Sequence, residues 1–234
     1  MLGSEWVECL LELKHEIVGI GPKEKPSNSN SSSFLNYYTI DLTQECSSKL
    51  EKVFFDENPR NVIVNSGIDS KPGTGQSSLT KYSIDSWREI IEVNLFGLVR
   101  VLNAALDSKR PPQNIVVIGS MYSEKSPNPH MYSHHGEIGL TKHPAYSTSK
   151  FGALSIVKQY ASHYAAKGTL INMLSPGAVQ SGQDPNFIEK IEKRIPLERL
   201  VSAEELRTIL GFLLEKNTYA VGQNFVLDGG MNLW

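Results

Sequence analysis

The chain has 234 residues, a formal net charge of −2 and two cysteines, Cys9 and Cys46. That length suits one α/β domain, the charge offers no surface for nucleic acid or anionic lipid, and two cysteines build neither a disulfide framework nor a metal site at this spacing. No apolar run reaches membrane-spanning length and no secretory signal opens the chain, so a reduced cytoplasm is the expected home.

Trp6, Leu10 and Leu13 recur at helical spacing with Val7 and Leu11 beside them, which predicts a helix over 4–14 with Ser4 as its cap. The apolar run 16–20, closed by Gly21-Pro22, reads as a buried strand, and the Ser/Asn-rich stretch 22–33 as a surface loop. A second strand follows over 37–42, a helix over 47–58, and a third strand over 61–68 that ends in Asn-Ser-Gly. Trp87, Ile90, Ile91, Val93, Leu95 and Val99 give one helical period across 84–106. Strands are predicted over 114–120, 169–177 and 224–230, and helices over 147–166 and 203–215. Strands alternating with helices throughout predict βαβ units and a doubly wound, mostly parallel sheet in a single domain spanning 1–234. In such sheets ligands bind at the carboxyl ends of the strands, where Asp41, Asn65–Gly67, Ser120 and Pro176–Gly177 fall.

Tyr146 and Lys150 stand four apart in "PAYSTSK". Alone, such a pair is far more often a solvated helix face. Its context adds a strand ending in Ser120, a later strand ending in Pro176–Gly177, and Asn94 among apolar neighbours in a helix, where its amide competes with the backbone. Other readings stand beside these: Ser120 and Asp41 as caps, Pro176–Gly177 as a plain turn, and His130, His134, His135 and His143 as loop histidines, since no cysteine accompanies them.

Taken in order, "NVIVNSGI", "IIEVNLFG", "IVVIGS", "YSTSK", "LINMLSPGAVQS" and "GQNFVLDGG" resemble the short-chain dehydrogenase/reductase family over nearly the whole chain. The resemblance implies a Rossmann-like fold and an oxidoreductase that transfers a hydride between NAD or NADP and a secondary alcohol or ketone. It implies catalytic roles for Ser120, Tyr146, Lys150 and Asn94. It implies cofactor contacts from Gly3, Asp41, Leu42, Asn65, Ser66, Gly67, Tyr146, Lys150, Pro176, Gly177, Val179 and Ser181. An unperturbed tyrosine titrates at about 10, too high for a base, and an ammonium one turn away is expected to favour the phenolate.

The resemblance departs in three places. The family opens with a strand and a glycine-rich turn; here Gly3 matches the last glycine of that turn, so the expectation is an N-terminally truncated member lacking the first strand. No acid stands at the strand tip near Gly21, while Lys23 and Lys25 follow, which leaves NAD or NADP open with a slight lean toward NADP. Ser120 and Tyr146 lie 26 positions apart, longer than usual, and 122–144 reads as a substrate-loop insertion. Tyr122, His130, Tyr132 and His134 in it suit a polar substrate such as a sugar or nucleotide-activated sugar, as in members acting on bacterial surface glycans and flagellin sugars; an ordinary surface insertion is the other reading. A 3-oxoacyl carrier-protein reductase and a non-catalytic Rossmann protein are the competing functions. Family resemblance also implies a homo-oligomer, dimer or tetramer, packed through the helices of 84–106 and 147–166.

Overall fold

The computed structural model describes residues 2–23, 34–69, 78–128, 142–180, 182–183 and 185–233. In chain order they form α1 (Leu2–Glu12), β1 (Ile17–Gly21), β2 (Phe34–Thr39), α2 (Ser47–Glu57), β3 (Asn61–Val64), α3 (Ile84–Ile91), α4 (Gly97–Leu106), β4 (Asn114–Ile118), α5 (Pro144–Tyr164), β5 (Leu170–Pro176), α6 (Pro185–Glu192), α7 (Ala203–Glu215) and β6 (Asn224–Leu227). Every strand pair is parallel. The strands make two ladders, β1-β2 and β3-β4-β5-β6, rather than one continuous sheet. Among the described residues, β1 pairs only with β2, and β3 only with β4.

The pleat sends alternate side chains to opposite faces, and the four-stranded ladder uses both. Ile115 and Val117 of β4 and Ile171 and Met173 of β5 enter a core shared with α2, α4 and α5. Val116, Ile118 and Leu174 face the other way, toward Trp6 and Cys9 of α1 and Leu206, Leu210, Leu213 and Leu214 of α7. Burial on both faces is why β4 and β5 read as unbroken apolar runs. Both cysteines are buried and free. Among the described residues no helix is long and apolar enough to cross a membrane.

The helix ends follow local chemistry. Ser202 and Glu205 form a reciprocal capping box at α7. The Arg199 guanidinium and two bonds from Ser202 hold the Glu205 carboxyl down at about 2. Ser83 caps α3 through Ser86 N. Ser4 lies inside α1, one turn later than a cap, because that helix is already formed at Leu2. The stretch 84–106 is not one α-helix: Glu92–Phe96 widen into a π turn between α3 and α4. β2 occupies 34–39, displaced from the expected 37–42 because the chain turns at Asp41–Thr43. α6 was not anticipated.

Gly177 takes the chain past β6 at close range, its N–H donating to Leu227 O at 2.7 Å. A Cβ there would lie 2.7 Å from Asp228 Cα and 2.8 Å from Leu227 O, both backbone atoms that cannot swing aside. Gly177→Ala is therefore expected to cost about 3 kcal/mol, the upper part of the range for overpacking, read as a fall in Tm; an unchanged Tm would show that β6 can yield.

Candidate active site

The ends of β3, β4 and β5 open on one edge of the ladder, and α5 starts there. His143 caps α5 by accepting Ala145 N at Nδ1, 3.1 Å, and Pro144 occupies the first turn, where its missing N–H costs nothing. Tyr146 sits in that turn and Lys150 one turn on, so both side chains share a face. Tyr146 is half-buried, with its ring against the apolar cluster of Met121, Tyr122, Ile191, Ile195 and Met231. The Ser120 side chain acts on the phenol, favouring its ionised form. The Lys150 ammonium lies 5.8 Å from the centre of the Tyr146 ring and donates to Ile118 O at 3.0 Å.

Asn94 completes the group. Its amide donates to Ile68 O at 3.0 Å and Ser149 Oγ at 2.9 Å, and its oxygen accepts Ile68 N at 2.8 Å. Ser149 Oγ donates on to Tyr146 O at 2.7 Å. Asn94 thus ties the loop after β3 to the first turn of α5. Because its side chain leaves the helix line to do so, the surrounding turn opens to π geometry, as happens at functional sites. A Cβ on Gly67 would stand 3.4 Å from Lys150 Nζ and 3.6 Å from Asn94 Oδ1. Ser120, Tyr146, Lys150, Asn94 and Gly67 are brought together.

Burial governs the charges. It pushes the Tyr146 phenol up to about 12, against the Ser120 side chain, which acts the other way. It pushes the Lys150 ammonium down to about 8, with the Asp69 carboxylate holding it up in part. The expected lowering of the tyrosine by its lysine is not found: loss of water around the phenolate raises the phenol, and Ser120 is the group that lowers it.

Toward the β3 end, Gly3 of α1 approaches Asn65, a Cβ on it lying 3.5 Å from Asn65 Nδ2, and the Trp6 indole donates to Asn65 Oδ1 at 2.7 Å. Ser66 Oγ is buried without a hydrogen-bond partner among the described residues. Pro176 ends β5, buried. Val179 bridges Val201 and accepts Gln183 Nε2 at 2.8 Å through its carbonyl. Asp41 and Leu42 follow β2 on the other ladder. Asp41 is exposed, and its carboxylate accepts Thr43 N at 2.9 Å and Thr43 Oγ1 at 2.8 Å, bonds that hold it below the usual carboxylate range. It closes its own turn and caps no helix, since Cys46 stands at the N-terminus of α2. Leu42 O accepts Arg100 Nη1 at 2.8 Å. Ser181 lies outside the described residues, as do His130, Tyr132, His134 and His135.

This constellation sits in a chain whose residues 50–232 match the family model described as enoyl-(acyl carrier protein) reductase. The chain belongs to the short-chain dehydrogenase/reductase family. It is 29% identical over 177 residues to the 3-oxoacyl-(acyl-carrier-protein) reductase of Buchnera aphidicola subsp. Schizaphis graminum, covering 73% of this chain and 65% of that protein. It spans 60% and 59% of the length of two further curated relatives. The fold matches a short-chain dehydrogenase from Leptospira borgpetersenii with bound NAD+, at 22% identity and TM-score 0.83, over 98% of this chain and 88% of that one. It also matches the RhlG–NADP complex of Pseudomonas aeruginosa, at 19% identity and TM-score 0.79, over 99% and 92%. The architecture is the Rossmann-like α/β domain of the short-chain dehydrogenases/reductases.

Some features of this family member escaped the sequence. Lys142 Nζ stands 4.5 Å above the Tyr146 ring and pairs with Asp69. His143 is a buried helix cap rather than a loop histidine: Nδ1 accepts from Ala145 N, so Nε2 carries the proton and donates to Ser86 Oγ at 2.8 Å. Pro144 was its signal, since proline at the first helical position marks the residue before it as a cap. Tyr122, expected to face substrate, is 2% exposed in the apolar cluster under Tyr146, because the turn Met121–Ser123 points it inward.

Proposed function

We propose that this chain is an NAD(P)-dependent oxidoreductase interconverting a secondary alcohol and a ketone, with Tyr146 as general acid/base. The carrying observation is the convergence of the Tyr146 phenol, the Ser120 hydroxyl and the Lys150 ammonium at the carboxyl edge of a parallel ladder. Lys150 supports the cofactor reading: among the described residues its buried ammonium makes one hydrogen bond, to Ile118 O, which leaves two donors for ribose hydroxyls. The partnerless Ser66 hydroxyl and the side-chain-free Gly67 beside Lys150 fit the same ligand. Gly3, Asn65, Asp41, Leu42, Pro176, Gly177, Val179 and Ser181 complete the proposed contacts. When bound, the nicotinamide supplies or accepts the hydride.

Tyr146, neutral at pH 7 with its phenol near 12, hands a proton to the substrate oxygen in reduction and takes one in oxidation. Ser120 donates a hydrogen bond to that oxygen as charge develops on it. Lys150 steadies the phenolate while it lasts. Asn94 braces the loop after β3 against α5; both its amide hydrogens are already committed, so any water it holds must take the remaining lone pair of Oδ1 or a main-chain atom.

The substrate class proposed is a polar carbonyl, sugar or nucleotide-activated sugar, which rests on the composition of 122–144 and on the Lys142–Asp69 ion pair above Tyr146. A second reading, reduction of 3-oxoacyl thioesters, is favoured by the Buchnera relative and by the apolar cluster of Met121, Ile195 and Met231 beneath Tyr146. Self-association through α3–α5 is proposed from Phe96 and Phe151, 52% and 42% exposed in that region.

The test follows consumption of NADH and NADPH with a keto-sugar, a small neutral ketone and a 3-oxoacyl thioester. Preferred turnover of the keto-sugar is the expected result. Preference for the thioester would install the second reading, and no turnover together with no cofactor binding would leave a non-catalytic Rossmann protein.

A further inference from the structure

Behind Ser120 runs a line of polar side chains that the proposed chemistry does not use. Ser120 N donates to Ser123 Oγ at 3.1 Å. Ser123 Oγ lies 3.4 Å from Ser175 Oγ, which donates to Asn224 Oδ1 at 2.6 Å. Asn224 Nδ2 donates to Glu124 Oε1 at 3.0 Å. Ser123 and Ser175 are fully buried.

The carboxylate at the far end fixes the direction of both bonds made by Asn224. A carboxylate only accepts, so Asn224 must turn its NH2 to Glu124 and its oxygen to Ser175. The Ser175 hydroxyl gives its proton chiefly to that oxygen at 2.6 Å and also faces Ser123 Oγ from the donor side at 3.4 Å, so Ser123 Oγ accepts. Its other lone pair is left for the Ser120 backbone N–H. The Ser120 oxygen already accepts Tyr122 N at 3.2 Å. Nothing in this line offers Ser120 Oγ a proton in competition with its own, and its backbone is pinned in an extended conformation, φ −162° and ψ 158°. Ser120 is left to donate toward the Tyr146 phenol and the substrate oxygen.

We infer that Ser123, whose hydroxyl oxygen accepts both the Ser120 N–H and the Ser175 hydroxyl, is a positioning residue that fixes Ser120 as a hydrogen-bond donor. The inference rests on the functional reading above. The two can fail separately. Ser123→Ala leaves the Ser120 N–H unpaired, and Ser120 gains freedom to rotate.

The test measures turnover of the preferred ketone, cofactor Kd and Tm for Ser120→Ala, Ser123→Ala and the double variant. Ser123→Ala is expected to lower kcat about tenfold, the scale of one misdirected hydrogen bond, with cofactor Kd unchanged. In the Ser120→Ala background the same substitution is expected to change kcat no further, because its effect travels through Ser120. A lower Tm with wild-type kcat, or an equal loss in both backgrounds, would overturn the inference while the functional reading stands. A Ser120→Ala variant with wild-type kcat would overturn the functional reading and the inference with it. Should Ser123→Ala not fold, Ser175→Ala keeps Ser123 and removes the hydroxyl that donates to it. A severalfold loss of kcat that vanishes without the Ser120 hydroxyl is then expected, and wild-type kcat overturns the inference.

Discussion

Replacing Tyr146 by phenylalanine is expected to reduce kcat about a thousandfold, within the range for loss of a positioned general acid, while Tm moves by only a few degrees. The two halves of this expectation come from different parts of one side chain. The ring carries the packing, against Met121, Tyr122, Ile191, Ile195 and Met231, and phenylalanine keeps it. The hydroxyl carries the proposed proton transfer and an interaction with Ser120, worth about 1 kcal/mol net. Turnover at saturating cofactor and ketone, read beside a thermal melt, separates the two.

Direction matters as well. With its phenol held near 12, Tyr146 is protonated at neutral pH and ready to act as an acid, so carbonyl reduction by this group needs no prior ionisation. Alcohol oxidation needs the phenolate, whose share rises about tenfold per pH unit below the pKa. Oxidation is therefore expected to climb with pH from 6 upward, and Tyr146→Phe to erase the climb. A variant that retains both turnover and slope would remove Tyr146 from the proton path.

The strands most visible in the sequence were those buried on both faces. β4 and β5 read as continuous apolar runs because their alternate residues enter two different cores, and the predicted 114–120 and 169–177 fell on them within two residues. The π turn at Glu92–Phe96 was not legible: "EVNLF" carries the same apolar period as the α-helix around it, and the widening comes from Asn94 reaching across to Ile68 and Ser149. Site residues that act through neighbours were hidden for the same reason. Ser123 is one more polar residue in a polar stretch until Ser175 and Asn224, 52 and 101 positions on, are seen behind it. The titration of the Tyr–Lys pair could not be read at all, because spacing fixes which groups meet and not how much water remains around them.

Lys150→Met is expected to raise stability at pH 7 while abolishing most activity. The ammonium is buried, and its downward displacement to about 8 measures what that burial costs. A tenfold change in a proton equilibrium is about 1.4 kcal/mol, so a fall from the usual value of about 10.4 amounts to about 3 kcal/mol against folding at any pH below 8. Methionine has similar length, no charge and enough flexibility to fill the channel. Against the gain stands the lost hydrogen bond to Ile118 O, about 1 kcal/mol. The net expectation is about 2 kcal/mol, a rise in Tm of roughly 4–8 °C for a domain of this size.

The pH dependence identifies the cause. Lys150 is a base whose folded value is depressed, so between pH 8 and about 10.4 the unfolded chain holds a proton that the folded protein has shed, and raising pH favours folding. Wild type is therefore expected to gain on Lys150→Met through this window until the advantage of the variant is gone. Tyr146 works oppositely: the folded protein keeps its proton from about 10 to 12, so alkali above 10 destabilises both proteins alike and cancels in the comparison. Activity should fall at least a hundredfold, the lower bound for disabling proton transfer. A variant less stable than wild type at pH 7, with a gap indifferent to pH, would mean that Lys150 is held by interactions strong enough to repay its dehydration. A resident cation of that kind would have no reason to be a catalytic one, whereas a group kept charged at a cost to the fold is what selection for turnover, rather than for stability, leaves behind.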